Sequence, residues 1–173
     1  GRNWGWIRAQ GRDPAELPLM IEARAIWADW AVRLGPGLGY ARAGVTYLAG
    51  SAAEMDGFSA WLAQARDHGL DTRLLGAAEM QALFPGLAPG HWAGALHTPS
   101  DARAEPFAAL PLIARAAAAQ GLAIREGCAV RGLDLAGGRI AGVVTEDGPV
   151  AAPVVVLAGG AWSSLLLRRH GVA

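Results

Sequence analysis

Lysine is missing from this chain of 173 residues. All 15 basic side chains are arginine, set against 15 acidic ones, for a formal net charge of zero. A chain with no excess of cations and no basic face lacks the electrostatic footprint of a nucleic-acid binder, so no nucleic acid is expected as a partner. With so much alanine and glycine, the arginine-only usage reads as a bias of genome composition rather than a binding feature. No apolar run is long enough to span a bilayer, and membrane association stays open. Cysteine occurs once, as Cys128, which excludes an intrachain disulfide and a cysteine-cluster metal site. Charged residues make up only 17% and hydrophobic ones 53%, the reverse of a disordered composition, and the length suffices for a real core. There are no internal repeats and no low-complexity linker. The first residue is Gly1 rather than methionine, so the chain is expected to be a piece of a longer one.

Residues 153–164, PVVVLAGGAWSS, are the stretch around which the rest is arranged. Val154, Val155, Val156 and Leu157 form a short apolar run between proline and glycine, which predicts a strand covered on both faces, as in a parallel sheet. Gly159 and Gly160 carry no side chains and let another molecule come close to the backbone. Ser163 and Ser164 are placed to cap a following helix, with Arg168, Arg169 and His170 in its last turn and Gly171 to end it. A strand, a glycine turn and a helix is a common way to hold a nucleotide; it is also an ordinary α/β turn.

The opening residues 1–13, GRNWGWIRAQGRD, show neither strand nor helix periodicity and read as a loop. Burial of apolar area is the simpler account of Trp4 and Trp6; a lining for a flat aromatic ligand is the other. Asp13, Pro14 and Glu16 start a helix, along which Leu17, Ile21, Ala25, Ala28 and Val32 recur at helical spacing until the glycines at 35 and 37. Trp27 and Trp30 read as core or domain contacts. Residues 45–48 and 72–75 read as strands, 51–54 as a capping box for a helix to about His68, and 77–83 as a short helix. Residues 92–97 read as a strand. Its histidines, His91 and His97, have no third ligand at metal-site spacing, and no metal is expected. A polar turn at 98–106 leads into a helix to Gln120, which Pro111 is expected to bend or delay. Residues 122–124 read as a short strand, and 128–135 with 139–145 as a hairpin around Gly137-Gly138.

Taken in order, these pieces resemble the FAD-dependent oxidoreductases of the D-amino-acid oxidase, glycine oxidase and sarcosine oxidase type. The resemblance rests on GRNWGWIRAQGRDP, on HTPSDARAEP with the helix after it, on the strand-and-hairpin block at 121–147, and on VVVLAGGAWSS. It implies an α/β fold: an incomplete Rossmann-like FAD-binding lobe of the glutathione-reductase type with a β-hairpin insertion, plus part of an α+β substrate domain. Residues 1–40 and 99–173 would belong to the FAD-binding lobe and 41–98 to the substrate domain.

The resemblance also implies cofactor contacts. The segment Arg2, Asn3, Trp4, Gly5 and Trp6 would lie along the pyrophosphate and flavin. The backbone of Val130 would hold the adenine. Ala158, Gly159, Gly160 and Trp162 would pack near the ribose and phosphates. The family's G-x-G-x-x-G turn is absent, as is the part that usually carries its substrate-carboxylate arginine, so no catalytic residue is assigned. Trp4, Trp6, Tyr47 and His97 are candidates to face the site.

The implied function is oxidation of a small amine or amino acid by hydride transfer to FAD, in a cytoplasmic protein completed by the missing parts of its own chain. Two alternatives stand beside it: a nicotinamide-dependent Rossmann dehydrogenase, which the hairpin argues against, and a non-catalytic binding or structural fragment.

Overall fold

The computed structural model describes residues 4–88 and 90–171, and the chain divides into two compact units, Gly1–Leu122 and Ala123–Ala173. In the first unit, strand β1 (Trp6–Ile7) pairs antiparallel with β5 (Ala102–Arg103). The opening segment is therefore partly a strand and not only a loop. Its side chains alternate: Ile7 and Ala9 are buried, while Trp6 is exposed and Arg8 half-buried. Asp13 accepts a hydrogen bond from the Ala15 amide at 2.8 Å and opens a short 3-10 turn that runs into helix α1 (Leu17–Leu34).

The stripe that α1 presents to the core differs from the expected one. Leu17 is fully buried, and Trp27, Trp30, Ala31 and Leu34 pack against a core of Ile7, Leu38, Ala102, Ala104 and Ala109. Val32, on the expected stripe, is 85% exposed. This helix is apolar on more than one side, and the face with two tryptophans removes the most area from water.

Strands β2 (Val45–Ala49), β3 (Arg73–Leu75) and β4 (Gly94–Thr98) form an antiparallel sheet in the order β2-β4-β3. Every residue of the central strand is buried. Helix α2 (Ala52–Asp67) covers one face, with Met55 against Gly94 and Phe58 beside Tyr47. Met80 of helix α3 (Ala77–Leu83) and Leu87 cover the other, against Leu48, Leu75 and Ala95. The capping box of α2 is only half formed as expected. Ser51 Oγ accepts from the Glu54 amide at 3.3 Å, but Glu54 accepts from the Gly50 amide at 2.6 Å, one residue before the cap. Helix α4 (Pro106–Ala119) starts on time and continues through Pro111, so the expected delay does not occur. The proline lies on the exposed side of the helix, where one lost amide bond is tolerated.

The second unit is an antiparallel meander of β6 (Val130–Ala136), β7 (Arg139–Thr145) and β8 (Gly148–Ala151). The predicted hairpin is β6-β7, closed by Gly137 and Gly138, both at positive φ. Two expected strands do not form. Leu122 and Ile124 are 56% and 47% exposed and irregular. Residues 154–157 are also irregular, with Val154 and Val156 exposed at 74% and 85%. Apolarity predicts burial, but a strand exists only through a neighbour, and no strand among the described residues pairs with either segment. Helix α5 (Ser163–Arg168) follows a 3-10 turn over Gly160–Trp162. That turn starts the spiral early, so Ser163 is a helical residue and no side chain caps α5, contrary to the sequence reading.

Candidate functional site

Of the residues assigned to the cofactor, Arg2 and Asn3 lie outside the described residues. Trp4 and Trp6 are 83% and 50% exposed, with their rings edge to face at 6.2 Å. The reading that they bury apolar area is thereby corrected: β1 alternates, and its inward positions are taken by Gly5 and Ile7. Gly5 is required by the backbone. Its φ is +77°, and a Cβ there would lie 2.2 Å from the Ala104 carbonyl oxygen, whose residue's amide bonds Gly5 at 2.8 Å.

In the second unit, Val130 opens the edge strand β6 opposite Thr145, beside a bulge before Gly132, and is 45% exposed. Part of that strand's backbone is already engaged. His170 accepts from the Leu133 amide at 3.0 Å, and Arg169 donates to the Arg131 carbonyl at 3.4 Å. Arg169 and His170 thus tie the end of α5 to β6. Ala158 is exposed and Trp162 is 65% exposed. The two glycines between them differ. Gly159 has φ −75°, open to any residue, and a Cβ would meet Ser163 Oγ at 3.2 Å. Gly160 has φ +55°, and a Cβ there would meet nothing within 4 Å. The left-handed residue of the turn is Gly160, and open space lies beside it.

Tyr47 and His97 stand on opposite faces of the β2-β4-β3 sheet, because Tyr47 pairs with Leu96 and His97 with Thr46. His97 is buried, with Nδ1 2.8 Å from Thr46 Oγ1, and lines a groove with Leu83, Phe84 and Leu87. Burial, and secondarily the Arg73 guanidinium, hold its imidazole pKa below the usual value, against an opposing hydrogen bond with the Val45 backbone. Among the described residues no three potential ligands lie together as a metal site.

Sequence reasoning missed two residues of this region. The Arg8 guanidinium stands 5.2 Å from the Trp6 ring centroid and 5.6 Å from that of Tyr47. The signal was the alternation Trp4, Trp6, Arg8 along one side of an extended segment. The other is Asp101, fully buried in the turn after β4. Its two oxygens accept from the amides of Ala9 at 2.9 Å and Gln10 at 3.0 Å, and Arg24 Nε lies 3.4 Å away. Burial pushes its carboxyl pKa up; those two amides and Arg24 oppose this. Thr98 donates to Gln10 Oε1 at 2.8 Å and meets Thr72 at 2.7 Å, so the polar network holds the segment after Trp6 from one side. Only a polar turn was legible there.

The description "DAO: FAD dependent oxidoreductase" matches residues 1–172. Human mitochondrial sarcosine dehydrogenase is 30% identical over 163 residues, 91% of this chain and 18% of that protein. D-amino acid dehydrogenase 2 of Mesorhizobium japonicum is 35% identical over 109 residues, 61% of this chain and 26% of that one. The solved L-amino acid deaminase of Proteus myxofaciens, in complex with anthranilate, superimposes with a TM-score of 0.91 at 29% identity, covering 99% of this chain and 39% of that one. The chain thus spans less than half the length of these relatives. It belongs to the DAO family of FAD dependent oxidoreductases.

Proposed function

We propose that this chain is part of an FAD-dependent oxidoreductase that oxidises an amino acid or a closely related secondary amine. The family match along residues 1–172 carries the reading. The relatives act, by their names, on sarcosine, D-amino acids and L-amino acids, which share an amine on the carbon next to a carboxylate. Flavin, when bound, supplies the acceptor for a hydride from a carbon bonded to the amine nitrogen, and the imine left behind is hydrolysed by water. Each unit by itself is compatible with such a cofactor: in the first, Trp4 and Trp6 expose their rings, and in the second, Gly160 has open space beside it and Val130 and Trp162 expose their side chains.

In this reading, residues 1–40 and 99–173 serve the cofactor and 41–98 the substrate. Gly159 and Gly160 admit a phosphate or ribose close to the backbone. Trp4 and Trp6 offer flat surfaces to a ring. The Asp101 network holds the strand from which those tryptophans project. No observation favours a nicotinamide enzyme, since the meander β6-β7-β8 occupies the place where a plain doubly wound domain has a helix. The test is an absorbance scan for bound flavin on the complete protein of which this chain is a part, followed by dye reduction with sarcosine, D-alanine and L-alanine; the chain alone is expected to be inactive. Flavin reduction by at least one of them is expected; reduction by NADH alone would refute the reading.

A further inference from the structure

The contact between His170 and β6 works only for a neutral ring. Nε2 of His170, a half-buried residue, accepts the backbone amide of Leu133 at 3.0 Å. A backbone amide can only donate, so Nε2 must be bare and the ring's one proton must sit on Nδ1. A second proton would land on Nε2 and face the Leu133 N–H, where no hydrogen bond can form. Histidine is the side chain whose ordinary titration falls between about pH 5 and pH 8, so this contact breaks under mild conditions. Nothing around the ring anchors an imidazolium once it forms. Arg168 and Arg169 precede it on α5 and the turn after it, and Arg131 and Asp134 flank Gly132 and Leu133 on β6. Glu146, in the turn before β8, pairs with Arg131, and no ion pair among the described residues includes His170. The contact matters because little else fastens α5. That helix is six residues long, with no fully buried residue and no side-chain cap, and so short a helix does not persist alone. Among the described residues, the other hydrogen bond from its end to β6 is the long one of 3.4 Å from Arg169 to the Arg131 carbonyl.

From this geometry we infer that His170 is a pH-sensitive latch: neutral, it fastens α5 to β6; protonated, it lets go, and the turn that leads into α5 loosens with it. That turn holds Gly159 and Gly160, and Val130 opens the strand. Latch, turn and strand all lie in one unit, Ala123–Ala173. The consequence for the cofactor rests on the proposed function, in which the turn meets a phosphate or ribose and Val130 meets the adenine. Acidification therefore weakens the hold on FAD in the complete protein.

The first measurement uses this chain without flavin, so its failure is separate from failure of the flavin reading. NMR shifts of the ring nitrogens at the alkaline end are expected to show His170 as the Nδ1–H tautomer. From about pH 8 to pH 5, the exchange protection of the Leu133 amide, corrected for intrinsic pH dependence, is expected to fall about tenfold, the loss of one hydrogen bond. The Ala152 amide, which donates to the Ala141 carbonyl at 2.9 Å, is expected to keep its protection. His170→Gln offers an acceptor that does not titrate, so its Leu133 amide is expected to stay protected throughout. His170→Leu removes the acceptor and is expected to show the acid behaviour at every pH. An Nε2–H tautomer at the alkaline end overturns the latch. So does Leu133 protection that stays flat in the parent or falls equally in His170→Gln. If a variant does not fold, the tautomer and the Leu133 titration of the parent still decide. In the complete protein, FAD affinity is expected to drop several-fold over the same pH range, and less in His170→Gln. Equal drops in parent and variant overturn the link to the cofactor. A complete protein that binds no flavin at any pH refutes the flavin reading instead, and the amide titration alone then judges the latch.

Discussion

Single side chains decide how the opening segment is held. Asp101 sits 92 residues from Ala9 in the chain yet accepts its amide. Asp101→Ala leaves two buried amides and the Arg24 guanidinium without that carboxylate, and removal of one partner from a buried charged network costs about 3 kcal/mol or more. Urea unfolding should show that loss as a lower midpoint at unchanged slope. His97 makes a second case, through pH. Its folded pKa lies below the unfolded one, so the fold favours the neutral ring. The stability it contributes is present above the unfolded pKa and disappears as pH falls through the folded value. Asp101, with a raised pKa, works in the opposite sense, its contribution fading as pH rises through its folded pKa. His97→Asn keeps an acceptor or donor near Thr46 and removes the titration. The variant should lose less stability than the parent between pH 7 and pH 5 in matched thermal melts; an identical pH slope in both would exclude His97 as the source.

Turns carry the element-scale argument. The sequence reading treated Gly159 and Gly160 alike, whereas the structure separates them by φ. Alanine at 159 needs only a small shift of the Ser163 hydroxyl, so Gly159→Ala should keep apo stability within ~1 kcal/mol. In the complete FAD-binding protein it should still weaken FAD, because the added methyl narrows the approach to the turn; unchanged FAD affinity in the folded variant removes this turn from the cofactor site. Gly5 predicts the contrary pattern. Alanine there meets both a positive φ and a carbonyl oxygen 2.2 Å away, so Gly5→Ala should cost more than ~2 kcal/mol and break the β1-β5 pairing, seen as lost amide protection at Ala104. Helix and hairpin boundaries were largely readable because caps and two-residue turns are local chemistry. The stripe of α1 was not, since Leu17 fits either apolar face and only the neighbours of Trp27 and Trp30 choose between them.

At the scale of the molecule, large apolar side chains stand in water. Phe107 and Leu110 of α4 are 87% and 57% exposed, and Val154 and Val156 likewise. The chain also has no G-x-G-x-x-G turn, the element whose helix N-terminus meets the pyrophosphate in dinucleotide-binding folds. The isolated chain is therefore expected to bind FAD weakly or not at all. In a titration followed by flavin fluorescence, saturation in the low micromolar range would contradict this and show a self-sufficient site.

What the sequence determined by itself is whatever a few neighbouring residues settle. Asp13 opens the first helical turn, Ser51 caps α2, the glycines at 137 and 138 close the hairpin, and Gly171 takes a positive φ just past α5. Each depends on bonds spanning a handful of positions, and the order of these pieces along the chain carried the family resemblance. Tertiary structure alone decided partners distant in sequence. It put Tyr47 and His97 on opposite faces, left residues 154–157 without a neighbouring strand, joined Asp101 to Ala9 and Gln10, and set Arg8 between Trp6 and Tyr47 without a carboxylate. The reason is physical: composition says that a valine run prefers burial or that an arginine needs an anion, but which surface or charge satisfies it is set by chain segments brought together from far apart.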